Sequence, residues 1–186
     1  MICSIRLAKA IVSKAHEKGI AVDQIKLQKL AYYCQGYTLV LTGKPLFNGR
    51  IEAWEYGPVA PVIYQEFRCF GRNQIAPDMS FVNDLDDVFN KVIEFVLDTF
   101  GKLDSFALVH KTHSEDPWRN HYSPEVGHDS KEITSEELLA FFEKEVIAMQ
   151  DSVFAKIMDS ASQKLVELPA SVKNEDDFYT WLKGNS

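Results

Sequence analysis

Cysteine is scarce in this chain. Cys3, Cys34 and Cys69 are odd in number, well separated and free of any CxxC spacing, so neither a disulfide framework nor a zinc knuckle is indicated, and a reducing cytoplasm fits best. Long apolar runs are also missing. The N-terminal MICSIRLAKAIVSKAHEKG is interrupted by Arg6, Lys9 and Lys14, and no later stretch is long enough to span a bilayer, so secretion and membrane insertion are not expected. There is no GxSxG, no glycine-rich phosphate loop, no SxxK and no HExxH, which removes the familiar nucleophile, nucleotide and zinc-protease signatures. Basic residues are the minority charge. Twenty Lys and Arg stand against 27 Asp and Glu, a formal charge of -7, which disfavours broad binding to nucleic acid and favours encounter with a basic partner.

What remains is an ordinary globular composition, 46% hydrophobic and 25% charged over 186 residues, enough to bury one core without disulfide or metal support. Helical spacing dominates. Ile5, Ala8, Ile11, Val12 and Ala15 follow Ser4, a predicted N-cap, and Gly19 marks the stop. Asp23 caps a longer stripe of Leu27, Leu30, Ala31, Cys34, Tyr37, Thr38 and Leu41 that ends at Gly43 and Pro45, with Lys26, Lys29 and Gln35 predicted to be solvated. In PLFNGRIEAWEYG the Asn48-Gly49 pair between apolar runs predicts a short hairpin. Pro58 then opens a helix that holds Pro61 in its first turn and stops at Gly71.

Leu85, Val88, Phe89, Val92, Val96 and Phe100 predict a further helix capped by Asn83 or Asp84 and ended by Gly101. FALVHKTH follows Ser105 as a short helix, and SEDPWRNHYSPEVGHDS reads as an exposed polar loop. Thr134 with Glu137 forms a capping box before LLAFFEKEV. Helical spacing continues through Val153, Phe154, Ile157, Met158, Ala161 and Leu165, and EDDFYTWLKG closes the chain as a short amphipathic helix. The predicted fold is mainly α, a compact bundle of about seven helices with at most one short β-hairpin, divided into residues 1–145 and a C-terminal extension, 146–186.

Few residues carry obvious chemistry. His110 and His113, three apart on a helix near Asp116 and His121, have a spacing that can hold a metal, but solvated or hydrogen-bonded histidines are the simpler reading. Cys34 lies on an apolar stripe, as a small buried hydrophobe does. Glu52, Glu55 and Glu66 have no second signal for acid-base work. Lys26, Lys29, Arg68 and Arg72 beside Tyr32 or Tyr33 can be imagined as a nucleic-acid site, without a convincing helix-turn-helix. The densest feature is IEAWEYGPVAPVIYQEF, whose Trp54, Tyr56, Tyr64 and Phe67 are rings of the kind that dominate interfaces. Trp54 is expected to anchor the turn in the core, with Tyr56 and Tyr64 left as contact residues.

Three ordered blocks give these observations a context. KLQKLAYYCQGYTLVLTGKPLF, IEAWEYGPVAPVIYQEF and THSEDPW, spread from about Lys26 to Phe142, resemble the Panacea antitoxin domain family, many of whose members are encoded in prophages beside small toxins. The helix block carries Lys26, Leu27, Leu30, Tyr33 and Gln35. The central block carries Pro45, Leu46, Ile51, Ala53, Trp54, Tyr56, Gly57, Pro58, Val59, Pro61 and Tyr64, and the third His113, Pro117 and Trp118. The resemblance implies a helical domain that neutralises a toxin, usually by direct contact, with no catalysis and no cofactor. Some relatives of this kind act instead as adaptors that present the toxin to a protease. The expected partner is a cognate protein toxin from a neighbouring gene, met through Tyr56, Tyr64, His113, Trp118 and, on the extension, Phe178 and Trp181. A phage-encoded host-interaction protein, a metal-dependent hydrolase and a repressor of its own promoter are the alternatives.

Overall fold

The structure, a computed structural model, describes residues 1–123 and 131–149. Among these residues the chain is mainly α, with seven α-helices, one 3-10 turn and two small sheets. The helices are α1 (Ser4–Glu17), α2 (Gln24–Thr42), α3 (Pro61–Phe67), α4 (Asp87–Phe100), α5 (Ser105–His113), α6 (Asp116–Arg119) and α7 (Ser135–Ala148). The strands are β1 (Ile2–Cys3), β2 (Phe47–Asn48), β3 (Ile51–Trp54), β4 (Gly57–Val59) and β5 (Glu132–Ile133).

Helix α2 is the axis, packed by α1, α4, α5, α7 and the β4 edge. Its start and stop are local chemistry. Asp23 accepts a hydrogen bond from the Lys26 amide, and Gly43 takes the left-handed conformation at φ 64°, where a side chain would be strained. Between these ends the helix is buried nearly all round from Gln24 to Leu39, so it has no solvated face. Lys26, Lys29 and Gln35 are therefore not solvated, as their position off the apolar stripe had suggested. Each lies in the interior because neighbouring elements cover every side of the helix. Tyr32, Tyr33 and Tyr37 are core residues too. Tyr33 stacks on Phe100 at 4.0 Å, Tyr37 meets Phe95 edge-on at 5.0 Å, and Phe142 of α7 lies against all three tyrosines. A Cβ on Gly36 would overlap the Phe142 ring, so the glycine sets how closely α7 approaches.

The hairpin exists but turns elsewhere. Trp54 pairs with Gly57 in an antiparallel β3–β4 ladder, so Glu55 and Tyr56 make the turn, with Gly57 at φ 95°. Asn48-Gly49 is not the turn, because Phe47 and Asn48 pair in parallel with Ile2 and Cys3, and the Ser4 hydroxyl donates to the Asn48 carbonyl. β5 adds a third strand on the far side of β3. Pro58 belongs to β4, and α3 starts at Pro61, its first helical residue. Asp86 and Asp104, rather than Asn83, Asp84 and Ser105, stand at the N-caps of α4 and α5, while Cys3 precedes α1. The Thr134–Glu137 capping box opens α7, which runs to Ala148.

Candidate protein-interaction face

Behind the hairpin lies a buried polar layer supplied by α2 and the α5–α6 segment. Lys29, 1% exposed, donates from Nζ to the Pro58 carbonyl at 2.8 Å. Gln28 accepts from the Ala60 amide at 2.9 Å, and Gln35 accepts from the Leu46 and Phe47 amides. Lys26 donates to the Gly101 carbonyl at 2.7 Å. Each bond ties the central helix to the backbone of a neighbouring segment, which is how a buried polar side chain offsets its desolvation. Gly57 is required here twice over, by its positive φ and because a Cβ would sit 2.6 Å from Thr112 Oγ1 and 2.8 Å from Lys29 Nζ.

Glu115 forms the second half of the layer. Tyr32 and Tyr33 donate their hydroxyls to its two carboxylate oxygens at 2.9 and 2.8 Å, and Lys111 approaches one of them at 3.2 Å. Burial raises the Glu115 pKa above the ordinary carboxylate range, opposed by the Lys111 charge and the two tyrosine hydrogen bonds. Burial lowers Lys29 to about 7, partly countered by Glu115. The same cause pushes the Cys34 thiol up, consistent with a buried hydrophobe. SEDPW is thus not an exposed loop. Glu115 and Trp118 are buried because the carboxylate meets the α2 tyrosines and the indole meets the hairpin.

The outward side of the hairpin is aromatic. Trp118, 9% exposed, donates from Nε1 to the Trp54 carbonyl at 2.8 Å and stacks between His113 at 3.8 Å and Tyr122 at 4.6 Å. His113 faces the Glu55 backbone, which favours its protonated form, and its Nε2 is buried with no partner among the described residues, which leaves Nδ1 as the nitrogen toward Glu55. Burial, then the Lys29 charge, lowers the His113 pKa below its ordinary value. Trp54 does not anchor the core as its size suggested. Its half-buried ring packs edge-on against Tyr64 at 4.9 Å and donates to Glu52, and Trp118 takes the anchoring part through the Trp54 backbone. Glu52 itself is buried beneath that ring instead of being a surface charge.

The structure therefore brings Tyr56, Tyr64, His113 and Trp118 around one turn. Tyr56 is 50% exposed at the tip of the turn, Trp54 and Tyr64 are half-buried, and Val62 is exposed on α3. His113 and Trp118 offer less free surface, since both are engaged by the hairpin. Phe178 and Trp181 lie outside the described residues. Sequence reasoning missed Lys29, Gln28, Glu115 and Tyr122; the presence of Lys and Gln at every side of an otherwise apolar helix was the signal for the first two.

The other imagined sites do not assemble. Lys26, Lys29, Tyr32 and Tyr33 are buried, which dismantles the basic aromatic cluster considered for nucleic acid. His110 is exposed while His113 is held by Trp118 and Glu55, and no group of three or more His, Cys, Asp or Glu able to hold a metal occurs among the described residues. An open cleft of about 990 Å³ lies elsewhere, between Lys18–Lys26, Arg72 and the α4–α5 junction, with Lys and Asp intermixed along its walls. No helix among the described residues is long and apolar enough to cross a membrane.

Residues 27–119, half of the chain, match the family model described as Antitoxin SocA-like, Panacea domain. The chain is also 35% identical over 127 residues to Antitoxin SocA of Caulobacter vibrioides (strain NA1000 / CB15N), an alignment that covers 60% of this chain and 66% of that relative. The aligned part thus spans just under two thirds of the relative's length. No solved structure matches the chain. The α2 helix from Leu27 on, the IEAWEYGPVAP hairpin and the THSEDPW segment fall in the matched region and are bonded to one another in space, and the chain belongs to the SocA-like Panacea antitoxin domain family.

Proposed function

We propose that this chain neutralises a cognate protein toxin by direct contact, using the aromatic face around Tyr56. The observation that carries the reading is the arrangement of that face. A half-exposed tyrosine stands at the tip of a turn that is bonded from behind, two residues from Trp54, whose ring is paired with Tyr64. Rigid aromatic groups that lose little entropy on binding are the usual centres of interface energy. The formal charge of -7 assists encounter with a basic partner. The titratable groups of the buried layer are engaged in hydrogen bonds within the fold, which supports a binding role over a catalytic one.

The test is expression of the neighbouring reading frame with and without this chain. The expected result is growth arrest by the neighbour alone, relief when the chain is present, and a complex that survives gel filtration. A neighbour that is harmless alone removes the antitoxin reading. Relief accompanied by disappearance of the toxin from the cell replaces occlusion with delivery to a protease. Deleting residues 173–186 tests the extension: neutralisation at full strength by the truncated chain removes Phe178 and Trp181 from partner choice.

A further inference from the structure

Side chains from three helices converge on the backbone of residues 54–60. The Trp118 indole of α6 donates to the Trp54 carbonyl, the His113 ring of α5 stacks on that indole and faces the Glu55 backbone, and the Lys29 amine of α2 donates to the Pro58 carbonyl. Gln28 of α2 then accepts from the Ala60 amide. Tyr56 stands between these attachments, and its neighbour Gly57 lies directly over Lys29 and Thr112. A turn fixed only by its own short ladder is mobile, since an isolated two-stranded ribbon is marginal in water. Here the carbonyls on both sides of Tyr56 are fixed by groups that are themselves held in the interior.

The identity of the donor at Pro58 is informative. A buried amine costs desolvation that a methionine of similar length would not incur, and the hydrogen bond it makes is to this turn. Fixing a loop before association removes the ordering cost from the binding step and lengthens the life of a complex without adding a contact. We propose that Lys29, His113 and Trp118 are positioning residues for partner binding. They pre-set the Tyr56 turn from inside the fold, and Lys29 does so without reaching the surface. This inference rests on the reading of the aromatic face as the partner-binding surface.

The experiment combines hydrogen exchange across residues 52–60 of the full chain with binding kinetics to the purified product of the neighbouring reading frame. Wild type is compared with Lys29→Met, His113→Leu and His113→Asn, the last keeping a donor where Nδ1 stands. Lys29→Met and His113→Leu are expected to exchange about tenfold faster across the turn and to dissociate about tenfold faster, with association little changed. Helical circular dichroism stays at the wild-type value, and His113→Asn recovers most of both losses. Turn exchange at the wild-type rate in folded Lys29→Met or His113→Leu overturns the proposal, as does a wild-type complex lifetime. If Lys29→Met does not fold, the His113 pair decides on the same criteria. If the wild-type chain does not bind that product, the functional reading fails by itself, and the exchange data alone decide whether the side chains fix the turn.

Discussion

Helices α1 and α2 use lysine in opposite ways. On α1 and at its C-cap, Arg6, Lys9, Lys14 and Lys18 each reach an acid on α4 or in the segment before it, namely Asp84, Asp78, Glu94 and Asp98, with most of these groups substantially exposed. On α2, Lys26 and Lys29 are buried and bond backbone carbonyls of Gly101 and Pro58. Solvated pairs of the first kind are worth about 0–1 kcal/mol each and weaken in salt. A buried donor of the second kind cannot be removed without leaving a carbonyl unpaired in a dry setting. The difference teaches that the place of the helix in the packing, and not the residue type, decides whether a lysine adds a weak surface pair or becomes a structural tie.

The contrast can be broken at its strongest point first. Glu115→Ala strands two tyrosine hydroxyls and Lys111, and is expected to cost about 3–5 kcal/mol in urea melts, with Glu115→Gln falling between it and wild type. A cost near zero would show that the buried layer is not structural. Trp118→Phe keeps a ring in the stack and removes the donor to the Trp54 carbonyl, for an expected loss of about 1–3 kcal/mol; a midpoint equal to wild type would dismiss that bond.

Lys29→Met sharpens the comparison through pH. With the folded pKa lowered to about 7, the unfolded chain binds a proton that the folded chain does not between pH 7 and the ordinary lysine value. The Lys29 contribution to stability therefore rises with pH across that window, and the gap in melting temperature between wild type and Lys29→Met is expected to shift in favour of wild type. Parallel curves would mean that Lys29 is not buried as described. The smallest effect belongs to α1. Lys14→Ala loses its pair with Glu94 and is expected to cost less than about 1 kcal/mol, fading in high salt. A loss as large as that of Glu115→Ala would erase the distinction between the two helices.

Much of the helical framework was legible because its signals are local. Asp23 and Gly43 bound α2, Gly101 ends α4, and Thr134 with Glu137 opens α7. The three blocks of the family were legible as well. What stayed hidden depends on contacts distant in sequence. Periodicity assigns Lys29 and Gln35 to water, because a helix covered on every side has no polar stripe to read. The Asn48-Gly49 pair looked like a hairpin turn until β1 claimed Phe47 and Asn48, and the real turn at Glu55 and Tyr56 has no such local emblem. Glu115 and Trp118 sit among turn formers, so composition placed them in solvent, whereas Tyr32, Tyr33 and the Trp54 carbonyl draw them inward. Of the candidate site, Tyr56, Tyr64, His113 and Trp118 were visible from their blocks, but the inward-facing part of His113 and Trp118 and the place of Lys29 behind the turn were not.

The claim that the Tyr56 turn is the contact surface is tested most directly by the affinity of a Tyr56→Ala chain for the neighbouring gene's product, measured beside its thermal midpoint. Tyr56 is half exposed and its side chain makes no hydrogen bond among the described residues, so the stability derived from that midpoint is expected to stay within about 0.5 kcal/mol of wild type. Affinity is expected to fall by about 2 kcal/mol or more, the size of a central interface residue. Wild-type affinity in a folded Tyr56→Ala chain would contradict the account.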